Sequence, residues 1–142
     1  MNNAKFNSGS FRSLASAKFR FLEDKGFRRE PKLETTSPTA ATVVYLGRHV
    51  GFIFSLDLRD ICVDAQVVKV ENHRIMRNWE GGYSSELFMH LVTHAGLRGL
   101  RKAPGVRAND AHALEQMIDR WAQLLLDAGQ TLLLDRPESL PR

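Results

Sequence analysis

Five histidines, a single cysteine and sixteen Asp/Glu residues are the groups with which this chain could hold a metal ion or move a proton. Glu86, His90 and His94 are spaced i, i+4 and i+8, so on a helix they share one side, and two histidines one turn apart can grip one ion. A zinc-protease helix carries a glutamate directly after its first histidine; here Leu91 stands in that place. The stripe also borders the apolar row Leu87, Leu91 and Ala95, where polar rim residues occur on any half-buried helix. The spacing reads as a solvated Glu–His pair, and no metal site is expected.

Cys62 beside His49 or His73 would make a thiol–imidazole pair able to attack a carbonyl. No second cysteine accompanies it and no glycine-rich turn presents it, so Cys62 reads as a small strand residue. The segment Trp79-Glu80-Gly81-Gly82-Tyr83-Ser84-Ser85 leads into an expected helix start, a place that attracts anions. It carries neither the lysine of the Walker phosphate loop nor the dinucleotide fingerprint. No catalytic residue and no cofactor are expected, and the chain is not read as an enzyme.

The charges point to binding instead. The net +4 is uneven: residues 1–32 carry +5, 33–70 carry −1, 71–108 carry +3 and 109–142 carry −3. Arg98, Arg101, Lys102 and Arg107, with the basic first helix, suit phosphate contact, so a small nucleic-acid-binding regulator is the alternative function. That loop interleaves no aromatics for base stacking and the last helix is acidic, which puts nucleic acid behind a protein as the partner. Asp57, Asp60 and Asp64 cluster on a turn and the start of a strand, in an otherwise apolar segment. Trp79, Glu80 and Tyr83 place large aromatics and a charge in a polar loop. Aromatic anchors beside charged groups are common at interface centres, and these six are the expected partner-binding residues. Trp79 fits equally well as a plug for the open end of a sheet.

These side chains must be positioned by local elements. A first helix starts after Ser8 or Ser10, runs through Phe11, Leu14, Ala15, Phe19 and Leu22, and stops at Gly26. Gly26 suits the left-handed position beyond a helix end, with Phe27 folding back onto Leu22. Residues 1–9 are polar and expected to fray, and residues 30–41, with two prolines, read as a loop. Strands are expected over 43–46, 50–56 and 61–70, joined by short turns and therefore antiparallel. In the third, Ile61, Val63, Ala65 and Val67 alternate with Cys62, Asp64 and Gln66, which implies one buried and one wetter face.

Asn72-His73-Arg74 reads as a further turn. A second helix is expected over 87–95, capped by Ser84 or Ser85 with Glu86 in its first turn. The last helix starts at Asn109 or Asp110 and ends at Gly129. Its apolar stripe is Leu114, Met117, Ile118, Trp121, Leu124, Leu125 and Ala128, and His112, Glu115, Asp119, Gln123 and Asp127 lie opposite. The order predicts an α+β fold: an N-terminal helix, a three- or four-stranded antiparallel meander, and two C-terminal helices packed on one face.

A length of 142 residues suits a single domain over 1–142, and 43% hydrophobic with 25% charged residues excludes wholesale disorder. No apolar run approaches the roughly 18 needed to span a bilayer. The longest, over 50–58, is broken by Ser55 and Asp57. The start lacks the apolar stretch of a secretory signal, and Cys62 alone forms no intrachain disulfide. A cytoplasmic location without a membrane partner is expected.

Three segments carry a resemblance: Phe19-Arg20-Phe21-Leu22-Glu23-Asp24-Lys25-Gly26-Phe27, a helix ending in a Gly-Phe pair; residues 50–70, with Ser55-Leu56-Asp57-Leu58-Arg59-Asp60 as hairpin turn; and Trp121-Ala122-Gln123-Leu124-Leu125-Leu126-Asp127-Ala128-Gly129, followed by Leu132-Leu133. Together they resemble small immunity proteins of bacterial polymorphic-toxin and contact-dependent growth inhibition systems. The resemblance implies a stoichiometric inhibitor without cofactor that binds the C-terminal domain of its cognate toxin, often a nuclease, and occludes it. An acidic, aromatic-bearing surface would match a nuclease's basic cleft and speed encounter. Many such inhibitors are acidic overall, whereas this chain is basic. Either the acidic patch alone faces the toxin, or the contacted toxin surface is itself acidic.

Overall fold

The computed structural model describes residues 8–57, 62–76, 85–86, 111–128 and 130–136. Where one helix is expected there are two, α1 (Ser8–Lys18) and α2 (Arg20–Asp24). The break falls at Phe19, whose φ of −97° and ψ of 13° leave helical geometry. Its ring is fully buried and stacks on Phe54 with centroids 3.8 Å apart. The expected stop is present: Gly26 has φ 98°, its N–H donates to Glu23 O at 3.1 Å, and the Phe27 N–H donates to Leu22 O at 2.9 Å. Those two bonds define a Schellman end, and Leu22 and Phe27 both join the core.

The segment read as a loop over 30–41 is more ordered than its prolines suggest. It follows a short strand, β1 (Arg28–Arg29), and itself contains a 3₁₀ turn (Pro31–Leu33) and a second short strand, β2 (Thr36–Ser37). Both strands pair with the outer edge of β3 (Ala40–Leu46). Between them the Glu30 N–H donates to Val44 O and the Thr42 N–H to Thr35 O, each at 2.9 Å. An open strand edge is a template for unwanted pairing, and this segment closes it.

The strands β4 (Val50–Asp57), β5 (Cys62–Glu71), β6 (Arg74–Ile75) and β7 (Ser85–Glu86) complete an antiparallel sheet, seven strands in all among the described residues. The expected meander is its centre, β3–β4–β5, and β6 and β7 pair with separate parts of β5. Here Glu86 departs from expectation. It stands opposite Gln66 in a strand, not in the first turn of a helix, because cross-strand pairing outcompetes the capping serines. The helix expected over 87–95 and the basic loop after it lie outside the described residues.

Near the C-terminus, α3 (Ala111–Ala128) is followed by the short α4 (Gln130–Leu133). Helices α1 and α3 pack on one face of the sheet, with Met117, Ile118, Trp121 and Leu125 buried against Phe52, Phe54, Val63 and Val67. Each such side chain contributes on the order of 1.5–3 kcal/mol by leaving water. On its outer side Lys18 bridges to Asp119 at 3.0 Å and Glu115 at 3.4 Å, tying α1 to α3. A second cluster of Val44, Leu46, Val68 and Val70 is buried on the opposite face. The alternation of β5 holds from Val63 to Val67 and then becomes two-sided burial at Val67-Val68. Among the described residues no helix is long and apolar enough to cross a membrane.

Candidate partner-binding surface

The β4–β5 register sets Asp57 opposite Cys62 and Ser55 opposite Asp64. Cross-strand partners point to one face, as do residues two apart along a strand. Asp57 and Asp64 therefore share a face as diagonal neighbours, with Ser55 between them and Thr42 opposite Ser55 on β3. The intervening residues Phe54, Leu56, Val63 and Ala65 are buried under the helices, so the two aspartates occupy the face opposite α1 and α3. Asp64 is exposed, and Thr42, Ser55 and Asp57 are half-buried. Further along, the same side of the sheet carries Val44, Leu46 and Val68, which are buried, and the half-buried Ile53. The anionic, hydroxyl-bearing corner thus adjoins a buried aliphatic cluster. Asp60, Trp79, Glu80 and Tyr83, the other four expected contact residues, lie outside the described residues.

The thiol–imidazole pair is not assembled. Cys62 opens β5, whereas His49 lies at its far end, where the Val70 N–H donates to His49 O at 3.0 Å and Lys69 stands opposite Val50. His73 follows β5 at that same end. Seven strand positions from Cys62 to Lys69 span about 23 Å at about 3.3 Å each, so neither imidazole reaches the thiol. Among the described residues no three His, Cys, Asp or Glu side chains are placed to hold a metal ion. His90 and His94 lie outside them.

Two buried polar groups escaped the sequence reading. The Glu34 side chain is wholly buried. Its Oε1 accepts from Arg12 Nη2 at 2.7 Å and Arg29 Nη2 at 3.0 Å, and its Oε2 from Arg29 Nε at 2.9 Å and the Val44 N–H at 3.0 Å. Burial pushes its pKa up, but the bonds from Arg29, Val44 and Arg12 outweigh that and hold the carboxyl below its ordinary value. A carboxylate so engaged is a fixed anion and a poor proton acceptor. It fills the gap between β1 and β2 by taking over a backbone acceptor's role on β3. No local signal marks it, since Arg12 is 22 residues away and Val44 ten.

The second group is Tyr45, opposite Arg29 across β1–β3. Its hydroxyl is buried and has no hydrogen-bond partner among the described residues. Burial raises its pKa to about 12, with Arg29 acting in the opposite direction and Glu23 and Glu34 adding to the rise. Neither group lies on the face that carries Asp57 and Asp64.

Compared with protein-family models, curated proteins and solved structures, the chain matches none.

Proposed function

We propose that this chain is an immunity protein, a stoichiometric inhibitor that binds a cognate bacterial toxin's C-terminal domain, a nuclease, and occludes it. The observation that carries this reading is the shared face of Asp57 and Asp64 beside Thr42 and Ser55, opposite the helices. An anionic corner of this kind attracts the basic groups with which a nuclease holds phosphates, and it accelerates docking through long-range steering. The overall charge of +4 would not favour such docking, so the reading relies on the local charge of this corner and not on the net charge. Of eight Lys/Arg in residues 1–32, Arg12 and Arg29 are bound to Glu34, and Lys18 to Glu115 and Asp119. The same pairing occupies Arg12 and Lys18 of the first helix, one of the two basic elements behind the nucleic-acid reading; the other, the loop over 98–107, lies outside the described residues.

The test is co-expression with the toxin domain encoded beside it. Growth is expected to be restored by the wild-type chain and lost with the pair Asp57→Asn and Asp64→Asn, with circular dichroism checking that the variant is folded. Failure of the wild type to protect, together with no complex on size exclusion, would sink the proposal.

A further inference from the structure

The turn between β3 and β4 holds a carboxylate that comes from the other end of the chain. Asp135 Oδ2 accepts the Arg48 N–H at 2.6 Å, and Oδ1 accepts the His49 and Val50 N–H groups at 2.7 and 2.9 Å. Three successive main-chain donors converging on one anion form a nest. The turn is closed behind them by the Gly47 N–H donating to Val50 O at 2.7 Å.

Gly47 supplies an independent observation. Its φ is not in the left-handed region, so its backbone does not demand glycine. A Cβ there would instead stand 2.5–2.7 Å from Oδ2, Cγ and Oδ1 of Asp135. What the glycine makes room for is the anion. Asp135 itself has φ 55°, an unfavourable conformation for a residue with a side chain, and its N–H donates to Leu132 O at 3.0 Å. Its neighbours Leu134 and Arg136 are exposed, so beyond Leu133 it is the Asp135 side chain that ties the described chain to the sheet.

We propose that turn 47–50 is a carboxylate-binding site, that Asp135 is its intramolecular ligand, and that the pair is a latch whose opening frees residues 134–136 from the sheet. A free carboxylate is the class of ligand the empty site takes, because the bonds from Arg48 on one oxygen and from His49 and Val50 on the other match its planar fork.

Amide hydrogen exchange on the full chain, with and without sodium formate against sodium chloride of equal ionic strength, tests this. Asp135→Ala and Gly47→Ala are each expected to speed exchange at Arg48, His49 and Val50 by about tenfold or more, with amides in the core strands unchanged. Formate should restore protection at those three amides in Asp135→Ala. It should restore none in Gly47→Ala, whose new methyl group fills the site. If Asp135→Ala does not fold, Asp135→Gly replaces it, since glycine suits the positive φ and also empties the site, with the same expected response to formate. The proposal is overturned if Gly47→Ala leaves the three amides as protected as in the wild type. It is equally overturned if formate is no better than chloride in the Asp135 variant.

Discussion

Trp121 donates its indole N–H to the carbonyl oxygen of Val63 at 3.0 Å, in the interior where both residues are buried. The bond joins the middle of α3 to β5 through a strand carbonyl that points away from β4. A single side chain thus fills the space between helix and sheet and satisfies the sheet's backbone.

Trp121→Phe keeps an aromatic ring, leaves part of the volume empty and strands the Val63 carbonyl. A loss of about 2–4 kcal/mol is expected, combining a cavity with an unmet buried acceptor. Urea unfolding followed by circular dichroism should show a lower midpoint at unchanged slope. A midpoint equal to wild type would mean that the bond contributes nothing and that the core closes over the gap.

Glu34 gives the fold a specific acid sensitivity. Its pKa is lowered in the folded state, so the unfolded chain takes up a proton first as the pH falls. The stabilisation is complete above the ordinary value of 4.5 and is lost as the pH drops through the lower folded value. Glu34→Gln removes the charge that Arg12 and Arg29 surround, at a cost of about 1–3 kcal/mol at neutral pH. The difference between wild type and variant should shrink steadily below pH 4.5 when stability is measured by urea titration at each pH. A constant difference down to pH 2 would rule out Glu34 as the titrating group.

Tyr45 acts at the other end of the pH scale. Its folded-state pKa is raised from 10.0 to about 12, so the neutral phenol is favoured by folding. Stability from this source is present below pH 10 and falls as the pH rises from there towards 12. Tyr45→Phe deletes a buried hydroxyl that has no partner among the described residues, so it should leave stability unchanged or raise it by up to about 1 kcal/mol at pH 7. It should also flatten the decline above pH 10. A clear loss at neutral pH would show that the hydroxyl is satisfied in solution.

What the sequence disclosed and what it hid divide along the range of the interactions. The Gly26-Phe27 stop was legible because a helix end is decided by a few adjacent residues, and the stripe of α3 because its period repeats over several turns. Asp57 and Asp64 could be flagged as a local cluster, but only the register of β4 and β5 sets them on a common face. Glu34 and Asp135 were invisible. Each is one carboxylate in an unremarkable context whose partners include main-chain N–H groups, at separations up to 87 residues for Asp135. Main-chain donors look alike in any sequence, so a side chain that binds them leaves no pattern. The mistaken placing of Glu86 in a helical turn has the same origin, since its pairing with Gln66 is a long-range contact.

The β5–β6 hairpin offers a stabilising substitution. Glu71 and Arg74 stand opposite each other, and the two residues between them, Asn72 and His73, have φ of 54° and 64°. Two positive φ values in a two-residue connection are the signature of a type I′ turn, which favours asparagine first and glycine second. Asn72 fits its place, whereas His73 carries a Cβ in a conformation where glycine has no steric penalty. His73→Gly is expected to stabilise the fold by about 0.5–1 kcal/mol, a rise of a few degrees in melting temperature. His73→Ala is the necessary control, because alanine keeps the Cβ and should bring no such gain. If alanine stabilised as much as glycine, the benefit would come from removing the imidazole, and relief of the turn's backbone would be excluded as its cause.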